Sequence, residues 1–478
     1  MSPLLILTIV LSYFGVILLI SYFTSRNANN ESFFVGNRKS RWYIVAFGML
    51  GASISGVTFI SVPGWVQSTQ MTYMQMVAGY FLGYLVVAFV LLPLYYKLKL
   101  TSIYTYLDVR FGNSSYKTGA SFFLLSRTLG AAMRLLLVAK VLQITIFDQL
   151  GIPFYLTVVL TIVLIWLYTF KGGIKTIIWT DTLQTLFLFS ALVATIIIIS
   201  KDLNIDFAGT FNIVKDSDMS KVFEFKNWNS TQHFIKQFIS GALITIVMTG
   251  LDQDMMQKNL SCKSLKDAKK NVISYGFAFI PVNILFLSLG VLLMIYANKN
   301  GINPELIKGD NLYPYIATNL LGPVVLILFL IGLMASAYSS ADSALTALTT
   351  SFTVDILGTK NKTEKQIKKQ RILSHLLFSL LMAVIILVFR NKDKTIIDAI
   401  FTIASYTYGP LLGLYAFGLF TKYQIIDKAS PFIAVASPII CFIISYLLKK
   451  QIDYNMGYEL LLLNGVLTFL GLLIFKKK

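Results

Sequence analysis

Four serines stand at helical spacing inside one apolar stretch. Ser336, Ser339, Ser340 and Ser343 fall at i, i+3, i+4 and i+7, so they line one stripe of a helix. Asp342 flanks that stripe, and a second carboxylate, Asp181, sits in Trp179-Thr180-Asp181-Thr182 of another apolar stretch. A carboxylate inside a bilayer costs about 2.5–3.5 kcal/mol by insertion scales and marks an ion or solute pathway. Oxygen ligands alone suit a hard cation such as sodium. The bland reading makes the serines small packing residues bonded to their own helix. It serves Ser336 but neither aspartate, which backbone cannot satisfy. Arg127 and Arg134 lie seven residues apart in a third apolar stretch and share a face. Either they neutralise buried acids, Asp342 among them, or one grips an anionic solute through a forked contact. Lys140, near the same stretch's end, snorkels.

The elements that position these residues must be membrane helices. Of 478 residues, 56% are hydrophobic and 13% charged, too little polar surface for a soluble domain. At about 20 apolar residues per span, about thirteen stretches qualify. They are 3–23, 42–65, 72–96, 118–147, 154–170, 175–200, 234–256, 268–296, 322–357, 372–390, 395–421, 429–448 and 457–475. The expected class is an all-α polytopic membrane protein forming a single transporter domain. The first stretch has no basic residue before it and reads as a retained helix rather than a signal. The net charge of +19 sits in short loops, a topology signal rather than a nucleic-acid face. Arg26 to Arg41, Lys97 to Lys117, Lys171 and Lys175, Lys258 to Lys270, Lys360 to Arg371 and Lys476 to Lys478 fall in alternate loops. The N-terminus is therefore expected outside and the C-terminus inside. Cys262, Cys441, His233 and His375 form no disulfide framework, metal spacing or catalytic motif. No enzyme and no cofactor beyond a coupling ion is expected.

Two stretches carry interruptions. The second reads Gly48-Met-Leu-Gly51-Ala-Ser53-Ile-Ser55-Gly56 and the seventh Thr249-Gly250-Leu-Asp252-Gln253-Asp254. Unwound backbone at membrane depth survives only where it lines a cavity. Breaks five stretches apart, in opposite orientations, are the layout of an inverted-repeat transporter with a midplane site. The alternative is that the glycines serve only close helix packing.

These residues resemble the sodium:solute symporter family. The likeness runs from Trp42 to Phe420 and is carried by several motifs in order. They include Ser53-Ile-Ser55-Gly56-Val-Thr58-Phe59, Tyr106-Leu-Asp-Val-Arg110-Phe111, Gly172-Gly173 with Trp179-Thr180-Asp181, Gln253-Asp254-Met-Met-Gln257-Lys258, the serine stripe and Gly409-Pro410. Within that family the chain is most similar to the bacterial sodium–sialic acid symporters. The resemblance implies a five-plus-five inverted-repeat, LeuT-type core. The first repeat would cover 42–200 and the second 234–421, with 3–23 leading and two trailing helices in 429–475. It implies a principal sodium site of Gly51, Ile54 and Ser336 carbonyls with Ser339 and Ser340 hydroxyls. It implies a second site of Asp181, Ser339, Asp342 and Ser343. Asp342 stands where those carriers have a serine, which either strengthens that site or makes it protonatable. Ser53, Ser55 and Thr58 match pocket hydroxyls, and the candidate pocket adds Tyr73, Arg127, Arg134, Thr245, Met248, Thr402 and Tyr406. The anion-binding arginine slot falls near Gly130-Ala131, and Val77 and Phe279 replace polar residues of relatives, so the solute is left unnamed.

The expected function is secondary symport in a bacterial inner membrane, coupling inward sodium movement to uptake of a small polar solute, an anion being one class. Sodium, solute and lipid are the expected partners, with neither nucleic acid nor an obligatory protein partner. Neutral sugar or amino-acid uptake, or an uncoupled sensor or channel, is the rival.

Overall fold

A computed structural model describes residues 3–26, 28–307, 309–390 and 396–477, helical almost throughout. Lys478 of the basic end and Thr395 of the eleventh stretch lie outside them. The chain begins with α1 (Pro3–Ser25), then α2 (Trp42–Ser53) and α3 (Gly56–Thr69). Next come α4 (Tyr73–Lys97), α5 (Asn113–Phe147), α6 (Phe154–Thr169), α7 (Ile174–Asp202) and α8 (Phe207–Asp216). The later helices are α9 (Phe234–Gly250), α10 (Gln253–Leu260), α11 (Leu265–Lys299), α12 (Gly322–Ile356) and α13 (Glu364–Phe389). The last four are α14 (Ile396–Thr407), α15 (Gly409–Phe420), α16 (Ser430–Ile452) and α17 (Leu460–Ile474). Among the described residues, eight helices are long and apolar enough to cross a membrane, or up to ten if each bent pair is one span. α6, α15 and α17 are apolar but shorter.

Both expected interruptions are present. α2 and α3 meet at 57°, and α9 and α10 at 63°. At the first, Ile54 (ψ 75) and Ser55 (ψ 169) leave the helical region. That removes the amides four residues on, which would have bonded the carbonyls of residues 51–54. The glycines serve packing as well. A Cβ on Gly51 would lie 1.9 Å from Thr185 Oγ1 and one on Gly48 3.1 Å from Asp181 Cβ, so α2 presses directly on α7.

The two breaks are satisfied differently. At the second, Tyr95 and Tyr104 hydroxyls donate to the freed carbonyls of Gly250 and Leu251, at 2.8 and 2.9 Å. At the first, a serine of α12 does this work, as described below.

The structure departs from the sequence reading in three ways. Helices occupy Asn30–Val35, Thr105–Arg110, Phe207–Asp216 and Gly309–Asn319, where loops were expected. The stretch 395–421 is divided at Tyr408. Pro410 has no N–H for the carbonyl of Tyr406, and Asn464 Nδ2 donates to that carbonyl (2.9 Å) and to Ser405's (3.0 Å). Lys258, counted as a loop charge, lies inside buried α10.

Candidate functional site

Ser340 is the residue of the expected principal ion site that meets the α2/α3 break. Its Oγ donates to the carbonyl of Ala52, freed by the α2/α3 break, at 2.9 Å, and lies 3.1 Å from Ser336's carbonyl. A hydroxyl of α12 and one break carbonyl, that of Ala52 rather than of Gly51 or Ile54, thus meet in a fully buried place. Ser336 Oγ bonds Leu333's carbonyl, leaving only its own carbonyl toward the break. Ser339 Oγ donates to Asp181 Oδ1 at 2.6 Å. This neutral set of carbonyl and hydroxyl oxygens suits a dehydrated monovalent cation.

Asp181, Ser339 and Ser343 also come together, but around an unforeseen partner. Lys258 Nζ lies 2.7 Å from Asp181 Oδ2, both side chains buried. Ser343 Oγ reaches the same oxygen at 3.5 Å. The ammonium thus supplies a positive charge directly beside Asp181. Asp342 turns to α6, where the Tyr168 hydroxyl donates to Oδ2 at 2.9 Å, and among the described residues its Oδ1 has no hydrogen-bond partner. Neither arginine pairs with it.

Arg127 instead pairs with Asp254, and its Nη1 lies 3.8 Å from Asp252 Oδ2. Asp252 caps α10, accepting from the Asp254 amide at 2.8 Å, and receives the Tyr408 hydroxyl. Arg127 is therefore part of a buried ion-pair network. Arg134 has no hydrogen bond or ion pair among the described residues. Its Nη1 lies 3.6 Å from where a Cβ on Gly130 would be, so the missing side chain in the arginine slot leaves room for this guanidinium.

A cavity of about 110 Å³ adjoins the first break. It is lined by Ser53, Ser55, Thr58, Tyr73, Arg127, Arg134, Thr245 and Met248, all candidates from sequence. Tyr80, Tyr84, Tyr275, Phe279, Ile400 and Phe401 are among the other residues that line it. Ser53 Oγ and the Tyr84 hydroxyl each lie 2.6 Å from the Tyr275 hydroxyl. Thr402 and Tyr406 do not line it. α14 presents Ile400 and Phe401 instead, a helical phase that sequence spacing did not set. Thr402 is exposed.

Sequence reasoning missed Lys258, Tyr168, Asp252 and the two carbonyl-capping tyrosines. One signal was available for Lys258. Asp252 is a good N-cap, and a helix restarting at Gln253 carries Lys258 inward instead of into a loop.

Broken helices meeting at a buried oxygen cluster, beside a polar cavity within a membrane-spanning bundle, define an ion-coupled secondary transporter. The model of the sodium:solute symporter family matches residues 33–424, and the chain belongs to that family. It is 25% identical over 419 residues to the sodium/sialic acid symporter NanT of Aliivibrio fischeri, covering 86% of this chain and 82% of that protein. Against SiaT of Proteus mirabilis the figures are 25% over 431 residues, 87% and 84%. Mouse sodium-coupled monocarboxylate transporter 1 is 26% identical over 410 residues, 82% and 65%. Among solved structures, a Na+-coupled sialic acid symporter in a substrate-bound, outward-open state aligns with a TM-score of 0.82 at 22% identity, covering 98% of this chain and 97% of that one. Mhp1, a nucleobase-cation-symport-1 family transporter, aligns at 0.56 and 16%, covering 93% of each chain. At these identities the structural likeness concerns the fold.

Proposed function

We propose that this protein couples inward sodium movement to uptake of a small organic anion across a bacterial inner membrane. The observation that carries the anion is Arg134, a guanidinium with no ion pair or hydrogen bond among the described residues that lines the cavity beside Gly130. A forked donor of this kind recognises a carboxylate in two places at once. Relatives named as sialic acid and monocarboxylate carriers support an acidic solute. Neutral sugars and amino acids are the rival class, and an uncoupled channel a more distant one.

Sodium would be held by Gly51, Ile54 and Ser336 carbonyls and the Ser339 and Ser340 hydroxyls. The ion would join α2 and α3 to α12 and stabilise the state that takes up solute. Its affinity must differ between outward- and inward-facing states, because an ion bound equally to both shifts neither. Lys258 on Asp181 argues for one sodium per cycle; among the oxygens of Asp181 and Asp342, only Asp342 Oδ1 is left without a donor. Each bent pair taken as one span, with the shorter apolar helices α6, α15 and α17 added, supports the reading of about thirteen spans. The two similar bends support a five-plus-five repeat. Loop charges put the N-terminus outside and the C-terminus in the cytoplasm.

The test is a thermal-shift panel of small acids, sugars and amino acids with and without sodium, followed by uptake in proteoliposomes. An acid should stabilise the protein in sodium and accumulate only under an inward sodium gradient. Accumulation that survives collapse of the gradient would overturn the coupling, and a panel answered only by neutral solutes would overturn the anion.

A further inference from the structure

Beyond the spans, at the end of the bundle that carries the 203–233 connection, lies α8. Asp206 caps it, accepting from the Gly209 amide at 2.7 Å. Thr210 Oγ1 donates to Ser200 Oγ at 2.8 Å, which pins α8 to the end of α7. Phe207, Phe211 and Val214 recur at i, i+4 and i+7 and share one face of this helix. That face roofs a cleft of about 810 Å³ walled by α7 and α11, through residues such as Ile197 and Ile284.

The cleft's walls are not filled by protein. Phe207 is 93% exposed and Phe211 66%, with Ile197 and Ile284 nearly half exposed. An amphipathic helix whose apolar face remains this open is built to meet hydrocarbon. At the rim, Lys201 and Lys215 have no ion pair among the described residues, whereas Asp206, the one carboxylate lining the cleft, is engaged as the α8 cap. Apolar depth with a basic rim matches one chemistry, an acyl chain continuous with a negatively charged headgroup.

We infer that this cleft binds one anionic phospholipid, with a chain between α7 and α11 beneath α8 and the phosphate at Lys201 and Lys215. The inference rests on the chain spanning a membrane and is independent of the sodium and solute assignments. Its place gives it a consequence for transport. α7 carries Asp181 and packs on the α2 break, while α11 carries Tyr275 and Phe279 of the solute cavity. A lipid wedged between them binds the arrangement seen here and stabilises it by mass action.

The test incubates purified protein in detergent with phosphatidylglycerol or phosphatidylcholine and reads lipid adducts by native mass spectrometry alongside the melting temperature. One tightly held phosphatidylglycerol and a raised melting temperature are expected. Lys201→Ala with Lys215→Ala should reduce the preference for phosphatidylglycerol roughly tenfold. Ile197→Trp with Ile284→Trp should abolish the adduct by filling the cleft. The lysine variant is on the surface and folds whatever the tryptophans do, so it decides the matter alone if they disrupt the protein. An unchanged preference in the lysine variant, or equal adducts in a folded tryptophan variant, would overturn the site and leave only nonspecific surrounding lipid.

Discussion

Asp181 and Asp342 enter the same buried region with the same charge and end with different partners. Asp181 has an ammonium and a serine hydroxyl, while Asp342 has one tyrosine hydroxyl and a bare oxygen. Replacing Lys258 by Met leaves Asp181 uncompensated in the interior, which costs about 3–5 kcal/mol of stability. The Lys258→Met/Asp181→Asn double variant should recover most of that loss in a melting experiment, and simple additivity of the two changes would refute the pairing. The arginines should separate by readout. Arg134→Lys should weaken solute binding about tenfold or more with an unchanged melting temperature, because the fork is lost and the charge kept. Arg127→Lys should lower the melting temperature, since it disturbs the Asp252 and Asp254 network. At the ion site, Ser339→Ala with Ser340→Ala should reduce sodium affinity at least roughly tenfold at similar protein yield. Wild-type sodium dependence in that variant would place the ion elsewhere.

The two helix breaks look alike in angle and differ in use. Tyrosines cap the carbonyls of the α9/α10 break, so that break is structurally closed. The α2/α3 break meets a serine hydroxyl, a group that can turn its oxygen to a cation. Tyr95→Phe should therefore cost about 1–3 kcal/mol, the penalty of an unsatisfied buried carbonyl, and leave sodium affinity intact. Gly51→Ala should do the opposite kind of damage. Its Cβ would meet not only Thr185 Oγ1 but also Thr185 Cα at 3.0 Å, so no rotamer change relieves it and α2 must move off α7. Overpacking of this sort costs about 1–3 kcal/mol, and here it would displace the proposed sodium ligands. Sodium-dependent uptake should fall far more in Gly51→Ala than in Tyr95→Phe.

For the whole molecule, an ion that bridges the α2/α3 break and α12 should stabilise the fold rather than a local segment. Rising sodium should raise the melting temperature, the stabilisation growing with the logarithm of sodium above the dissociation constant and reaching about 2.7 kcal/mol at a hundred times it. Potassium should not, and the Ser339→Ala/Ser340→Ala variant should lose the response. The features legible without coordinates are those written in local pattern. Apolar run length demanded membrane helices, Gly48 to Gly56 announced a break, and the spacing of Ser336 to Ser343 put four hydroxyls on one stripe, because helix geometry follows from neighbours in the chain. Eight of the ten pocket candidates, several of them taken from the family resemblance, line the cavity. Thr402 and Tyr406 do not, since the rotation of α14 is set by packing partners far away in sequence, among them Asn464. Lys258 facing Asp181, Tyr168 facing Asp342 and Arg127 facing Asp254 were likewise decided only when the helices packed. Buried charges must find partners, and which ones lie within reach is a property of the folded bundle.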